Sequence, residues 1–412
     1  MGKLAISGGD KACNYTWPTW PMWDGAERTA VNEVLESGQW WYGKKVQQFE
    51  ADYATFQDAK FGVTTNSGTT ALEIVYRALG IGPGDEVIVP AYTFIATGTS
   101  VVFAGAKPVF ADVRRDNLCV DPADVERKIT PKTKAIVPVH FAGHVADMDR
   151  LLAIGKKHNL PVVEDACHSW GSKWKGQGTG SIGNCGVFSF QVSKNISGAE
   201  GGIITTNDER LADACRSLTN CGRVKGGKWY EHGQAGTNVR LTEFQAAILL
   251  AQMTRALPHM EQRTKAVAIL DKELATVPGL SLLTDDPRHT RRTHHLYCFW
   301  FDPKVWGISR DAFLDAVGAE GVPASAGYLT PVYGNLCFQP GENPTNNPCI
   351  KHPAKGSPLD NSGTHCPVAE DVCKNIVWFT HTTLLADEAA VRAIPRAIRK
   401  VYDNRSELQK PK

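Results

Sequence analysis

Val187-Phe-Ser-Phe-Gln-Val-Ser-Lys-Asn-Ile-Ser-Gly-Ala-Glu-Gly-Gly202 is an apolar run that leads into a lysine set among small residues. Such a run predicts a buried strand, so Lys194 is expected at the end of a sheet and not on a solvated surface. A lysine held there can lose its proton and form an imine with a carbonyl. A second short apolar run, in Leu160-Pro-Val-Val-Glu-Asp-Ala-Cys-His-Ser169, ends at Asp165 in the same way. A Schiff-base lysine with a carboxylate for a pyridinium nitrogen is the minimal equipment for pyridoxal 5'-phosphate (PLP) chemistry. Most lysines and aspartates are surface charges, so the pair in this order carries the inference.

Outward from these runs, similar ones recur: Gly62–Thr65, Glu86–Val89, Pro108–Ala111, Ala135–Val139, Pro161–Val163, Val187–Phe190 and Gly202–Thr205. They alternate with amphipathic stretches, which predicts an α/β fold with a mostly parallel sheet covered on both faces. Helical spacing also marks Ala26–Leu35 and dominates from Leu241 to Thr276, with Phe244, Ala247, Ile248 and Ala251 on one face. The long helix is expected to join a large domain, 1–257 with an N-terminal arm, to a smaller α+β domain, 258–412. The smaller domain should hold a strand at Leu296–Phe301 and helices at Ser309–Ala319 and Asp387–Tyr402. Between them, Gly334–Thr364 is rich in Pro, Gly and Asn and reads as a long loop.

Composition narrows the class. The 412 residues carry 45 basic and 43 acidic side chains, a net charge of +2, so no nucleic-acid partner is implied. No stretch is apolar enough to span a bilayer and the start of the chain has no long apolar segment, so a cytoplasmic enzyme is expected. The eleven cysteines form no C-x-x-C pair and read as reduced thiols. Cys337, Cys349, His352, His365, Cys366 and Cys373 gather near the C-terminus. Only His365 and Cys366 are close enough to anchor a metal together, so no metal is expected.

Three further segments bear chemistry. Asn66-Ser-Gly-Thr-Thr70 lies between a strand and a helix; free backbone N–H groups, hydroxyls and the helix dipole make an anion site there, suited to a cofactor phosphate. A plain Ser/Thr helix cap is the competing reading. Ser189 could supply another phosphate hydroxyl. In Pro90-Ala-Tyr-Thr-Phe-Ile-Ala96, Phe94 is placed to stack on a flat pyridine ring, though a core aromatic would look the same. His168, three residues after Asp165, could touch the cofactor edge or the substrate, or be a buried structural histidine. Gly178-Thr-Gly-Ser-Ile-Gly183 fits the dinucleotide fingerprint G-x-G-x-x-G, but it leads into a strand where that fingerprint must follow one. A nicotinamide oxidoreductase is therefore disfavoured, and the glycines are expected to form a tight loop near the cofactor.

Asn66-Ser-Gly-Thr-Thr-Ala-Leu72, Pro90-Ala-Tyr-Thr-Phe94, Glu164-Asp-Ala-Cys-His168, Phe188-Ser-Phe-Gln-Val-Ser-Lys194, Glu200-Gly-Gly202 and Gly236-Thr-Asn-Val-Arg-Leu-Thr-Glu243 together resemble the DegT/DnrJ/EryC1/StrS aminotransferases. The resemblance implies PLP fold type I, the aspartate-aminotransferase-like architecture. It implies Lys194 as the Schiff-base residue, Asp165 at the pyridine nitrogen, Gly68, Thr69 and Ser189 at the phosphate, and Phe94 as the stacking ring. Asn238 is implied to reach the phosphate of a neighbouring subunit, which makes the enzyme a homodimer with shared sites. His168 stands where many relatives carry Gln. Gln39-Trp-Trp, Phe190-Gln191 and Val377-Trp-Phe-Thr-His-Thr-Thr-Leu-Leu385 resemble the subgroup with glutamine:scyllo-inosose aminotransferases and 3-amino-5-hydroxybenzoate synthases. Trp40, Tyr42, Tyr328 and His381 are accordingly assigned to the substrate. The expected activity is transfer of an amino group from L-glutamine or L-glutamate to a keto group on a cyclitol or sugar. An aromatising PLP enzyme or a nucleotide-sugar aminotransferase is the alternative. No basic cluster is visible in the sequence, which counts against a nucleotide-diphosphate sugar.

Overall fold

The computed structural model describes residues 3–341, 353–357 and 359–409. Its strands are β1 (Phe61–Thr65), β2 (Glu86–Pro90), β3 (Lys107–Ala111), β4 (Thr133–Ile136), β5 (Val163–Asp165), β6 (Lys173–Trp174), β7 (Gln177–Gly178), β8 (Cys185–Ser189), β9 (Gly202–Thr206), β10 (Leu280–Leu282), β11 (His289–Arg291), β12 (Leu296–Phe301) and β13 (Ile376–Thr380). Two ladders, β1-β9-β8-β5 and β3-β2-β4, are joined by parallel bridges Ile136 to Val162 and Val139 to Asp165. The result is one seven-stranded sheet in which only β9 runs against its neighbours. All seven expected runs fall on strands of this sheet, within three residues at their ends.

Because β1, β2, β5 and β8 run the same way, their carboxyl ends open on one edge, which is where ligands bind in such sheets. Helices cover the faces. The helix Gly68–Ala78 buries Ala71, Leu72, Ile74 and Val75, the apolar spacing expected of a helix lying on a sheet.

The G-x-G-x-x-G segment has a structural task. Glu164, fully buried, accepts N–H bonds from Gly180, Ile182 and Gly183 at 2.7–2.8 Å and meets His140 Nε2 at 2.8 Å. The glycine loop therefore wraps an internal carboxylate, not a dinucleotide phosphate. Gly180 sits at φ +81°, and a Cβ on Gly186 would lie 2.1 Å from Gly180 Cα, so the loop closes on β8 only without side chains. Glu164 immediately precedes Asp165; wrapping the one fixes the strand end that carries the other.

The helix Glu243–Leu274 starts in a capping box between Thr242 and Gln245 and runs through Pro258 without ending. The boundary expected at 257/258 therefore falls inside one continuous helix. A second core forms around β10, β12 and β13 with the helices Arg310–Ala319 and Glu388–Asp403, capped by Ser309 and Asp387. Leu4, Cys13 and Trp17 of the N-terminal arm pack on this second core. Conversely Tyr328, Val332, Phe338, Cys366 and Cys373 pack on the large core. The expected loop Gly334–Thr364 falls partly outside the described residues. No described helix is long and apolar enough to cross a membrane.

Candidate active site

The site is assembled where strands end. After β1, Ser67 caps the following helix by taking the Thr70 N–H on its hydroxyl at 3.2 Å. The N–H groups of Gly68 and Thr69 lie in the first turn and have no carbonyl inside the helix to bond. A Cβ on Gly68 would come 2.8 Å from Ser189 Cβ and 3.1 Å from Cys167 Sγ, so glycine lets this helix start close on the end of β8. Ser189 Oγ accepts from Gln191 N at 3.3 Å, which leaves its own proton to donate. Two N–H groups, a hydroxyl and the positive end of a helix make an anion cradle.

Asp165 ends β5 and is 5 % exposed. Thr97 Oγ1 donates to its Oδ2 at 2.8 Å and Cys167 N–H to its Oδ1 at 3.2 Å, so both oxygens are oriented by neutral donors. Lys194 lies in the turn after β8, with Nζ 5.9 Å from the Trp170 ring centroid. Desolvation pushes its ammonium below the usual lysine range, against the opposing pull of Cys167 and Asp165. A lysine so placed is closer to a free amine, the form that attacks carbonyls.

These groups face one cavity of about 560 Å³. Gly68, Thr69, Ser189, Asp165 and Lys194 line it together with Phe94, His168, Tyr328 and His381. Phe94 is 53 % exposed, a phenyl face left open at a strand end, with its centroid 6.3 Å from that of Tyr328. His168 Nδ1 accepts from Ala142 N at 3.4 Å, so its Nε2 carries the proton in the neutral ring. Burial, more than any charge, holds His168, His295 and His381 well below the usual histidine range. The donor set fits PLP: an anion cradle, a buried carboxylate, an open aromatic face and a desolvated amine in one concavity.

Trp40, Tyr42 and Asn238 do not join this cavity. Trp40 is 51 % exposed and packs on Phe244; Tyr42 bonds Glu50 at 3.4 Å. Asn238 is exposed, although the next residue's carbonyl accepts from Asn66 N at 2.7 Å beside the cradle. Tyr42 instead borders a second concavity lined by Arg216, Arg223, Lys225 and Arg240, with Asp213 pairing Lys225 at 2.7 Å. The expectation of no basic cluster thus fails: Arg216, Arg223 and Lys225, close in sequence, share this concavity with Arg240. Thr97, His295 and Trp378 also line the main cavity and were not singled out from sequence. Thr97 lies three residues after Phe94, a helical spacing that could have marked it. Among the described residues no group of His, Cys, Asp or Glu is arranged to hold a metal ion; Cys349 and His352 lie outside them.

Known proteins are similar to this chain in sequence and fold. The DegT/DnrJ/EryC1/StrS aminotransferase family profile matches residues 21–398. An L-glutamine:2-deoxy-scyllo-inosose aminotransferase from Micromonospora echinospora is 35 % identical over 428 residues, covering 99 % of this chain and 100 % of its own. The crystal structure of 3-amino-5-hydroxybenzoic acid synthase matches at a TM-score of 0.84 and 32 % identity, over 94 % of this chain and 99 % of that one. DesV from S. venezuelae, solved with a ketimine intermediate, matches at 0.80 and 32 %, over 92 % and 95 %.

The buried neutral histidines set a pH dependence. Their folded pKa values lie below the unfolded value of 6.5, so below pH 6.5 the unfolded chain binds protons that the folded chain refuses. Stability of the protein should be highest above pH 6.5 and fall as pH drops from there, by up to about 1.4 kcal/mol per pH unit for each such histidine. Urea unfolding at pH 7.5 and 5.5 checks this, and His381→Gln should show a shallower loss. Equal stability at the two pH values would contradict the buried-neutral assignment.

Proposed function

The chain belongs to the DegT/DnrJ/EryC1/StrS aminotransferase family, PLP enzymes of fold type I, and we propose that this member aminates a keto group on a cyclitol or sugar ring with L-glutamine or L-glutamate as donor. The observation that carries the reading is the placement of Lys194 and Asp165 at the ends of the paired parallel strands β8 and β5, facing one cavity with the anion cradle beside them. The glutamine:scyllo-inosose relative, matched over nearly its full length, supports the donor and the ring class.

In this reading the cofactor supplies an electrophilic carbonyl and a ring that accepts electrons from the substrate. Gly68, Thr69 and Ser189 would hold its phosphate, Phe94 one ring face, and Asp165 the pyridine nitrogen, with His168 Nε2–H directed at its edge. Lys194 would bind it covalently through Nζ. When free, Nζ would take the proton from the donor's α-carbon as base and then, as acid, hand it on to the cofactor instead of back to that carbon. Thr97 and the Cys167 N–H keep the Asp165 carboxylate aimed while this happens. Tyr328, Trp378 and His381 wall the space left for the ring substrate. Lys194 is the only lysine or arginine among the described residues lining this cavity, so this chain's wall suits a neutral polyol ring better than a diphosphate.

The reading includes a homodimer. Asn238, exposed and outside its own cavity, would enter the partner's phosphate site, and Trp40 and Tyr42 would likewise serve across a two-fold interface. The activity would then be that of a biosynthetic enzyme of the cytoplasm.

Borohydride treatment of the PLP-loaded protein should bleach its yellow band and fix the cofactor on Lys194, found by peptide mapping. The protein should then turn over L-glutamine with a keto-inositol and leave a nucleotide-linked keto-sugar unreacted. Label on another lysine defeats the Lys194 assignment; turnover confined to the nucleotide-linked sugar defeats the proposed substrate class.

Mixing the inactive variants Lys194→Ala and Asn238→Asp under conditions of subunit exchange tests the shared site. A mixed dimer has one doubly defective pocket and one intact pocket, so activity should recover to about a quarter of wild type. No recovery despite proven exchange would place Asn238 outside the partner's pocket.

A further inference from the structure

The residues on either side of Lys194 are each held by a histidine from elsewhere in the chain. Asn195, 3 % exposed, points its Nδ2 at the Thr293 carbonyl at 3.3 Å. A carbonyl only accepts, so Asn195 Oδ1 is the atom turned to His295, whose Nδ1 lies 2.7 Å away and must carry a proton. On the other side, His381 Nε2 lies 3.0 Å from the Ser193 carbonyl and must donate to it. The two imidazoles stack at 5.6 Å with planes 22° apart, and both line the cavity beside Lys194.

Arg263 backs this pair. It is 1 % exposed, donates from Nε to the same Thr293 carbonyl at 3.1 Å, and meets no carboxylate among the described residues. Its Nη1 is a buried donor without a partner, and His381 Nδ1 is a buried acceptor without one. Groups left in that state are what a fold selected for stability alone would remove.

We propose that His295 and His381 are positioning residues that clamp Asn195 and Ser193 in opposite tautomers, one donating from Nδ1 and the other from Nε2, and so fix the turn that aims Lys194 Nζ into the cavity. The inference deepens the aminotransferase reading and rests on its assignment of Lys194. Four residues after the end of β8, the backbone at Ser193 has no ladder to hold it; the two histidines replace the missing sheet bonds. The clamp spans both cores, since His295 and His381 immediately precede and follow β12 and β13 of the smaller sheet.

Asparagine places an amide N–H where Nδ1–H stands, and glutamine where Nε2–H stands. His295→Asn and His381→Gln should therefore capture PLP covalently at a rate within about threefold of wild type. His295→Leu should lose about a hundredfold in kcat with donor KM changed by less than about threefold, since aim is lost and not substrate contact, and His381→Leu, at a position that also walls the ring-substrate space, should lose at least as much in kcat. The rate at which the cofactor-free protein captures PLP covalently, followed by absorbance, should fall in parallel in the leucine variants. Leucine variants that match wild type, or amide variants as impaired as the leucine ones, overturn the clamp. Nitrogen-15 NMR of the wild-type imidazoles decides it even where leucine variants do not fold: Nδ1–H on His295 and Nε2–H on His381 are expected, and the reverse tautomer on either refutes it. An inactive wild type that still captures PLP on Lys194 at the expected rate would sink the substrate reading and leave the clamp standing.

Discussion

An amine and a carboxylate that share a dehydrated cavity attract each other strongly, and this site must present both without letting them neutralise one another. Asp165 is tied by Thr97 and the Cys167 N–H, and Lys194 sits in a turn whose two flanking residues are anchored elsewhere. Among the described residues no ion pair joins the two. The large sheet serves that separation: β5 and β8 are adjacent and parallel, so their ends set the carboxylate and the lysine turn on the same edge at a fixed spacing.

The supporting layers follow from the same need. Glu164 draws the glycine loop around itself and so anchors β5 one residue before Asp165. Neutral histidines surround the lysine with polar atoms but add no positive charge to a space that already disfavours its ammonium. Arg263, buried and without a counter-ion among the described residues, reinforces this: burial lowers its own pKa to about 9, and its charge further disfavours protonation of His381. The arm and the smaller core are therefore part of the site, because the residues that steady the lysine turn lie beside β12 and β13.

Much of this was legible in the sequence because it is local. Strand runs end at the edge of the cavity, so Lys194, Asp165, Phe94 and the Gly68 turn declare themselves by position after an apolar run. What stayed hidden is contact between distant segments. Nothing near Asn195 announces His295, and nothing in the G-x-G-x-x-G pattern announces that its anion is Glu164. Arg216, Arg223 and Lys225 are close in sequence, but that they share a concavity with Arg240 shows only in three dimensions. The helix expected to join the two domains crosses 257/258 without interruption, and its proline does not break it. Trp40, Tyr42 and Asn238 lie where one chain alone gives them no role in its own cavity.

The central claim is that Asp165 acts through its charge on the pyridine nitrogen of a cofactor bound beside Lys194. The most direct test is the single-turnover reaction of L-glutamine with PLP-loaded Asp165→Asn, followed by absorbance. The account predicts that the variant binds the cofactor with little loss yet reacts at least about a hundredfold more slowly, about 3 kcal/mol of barrier. Reaction at a near wild-type rate would contradict it.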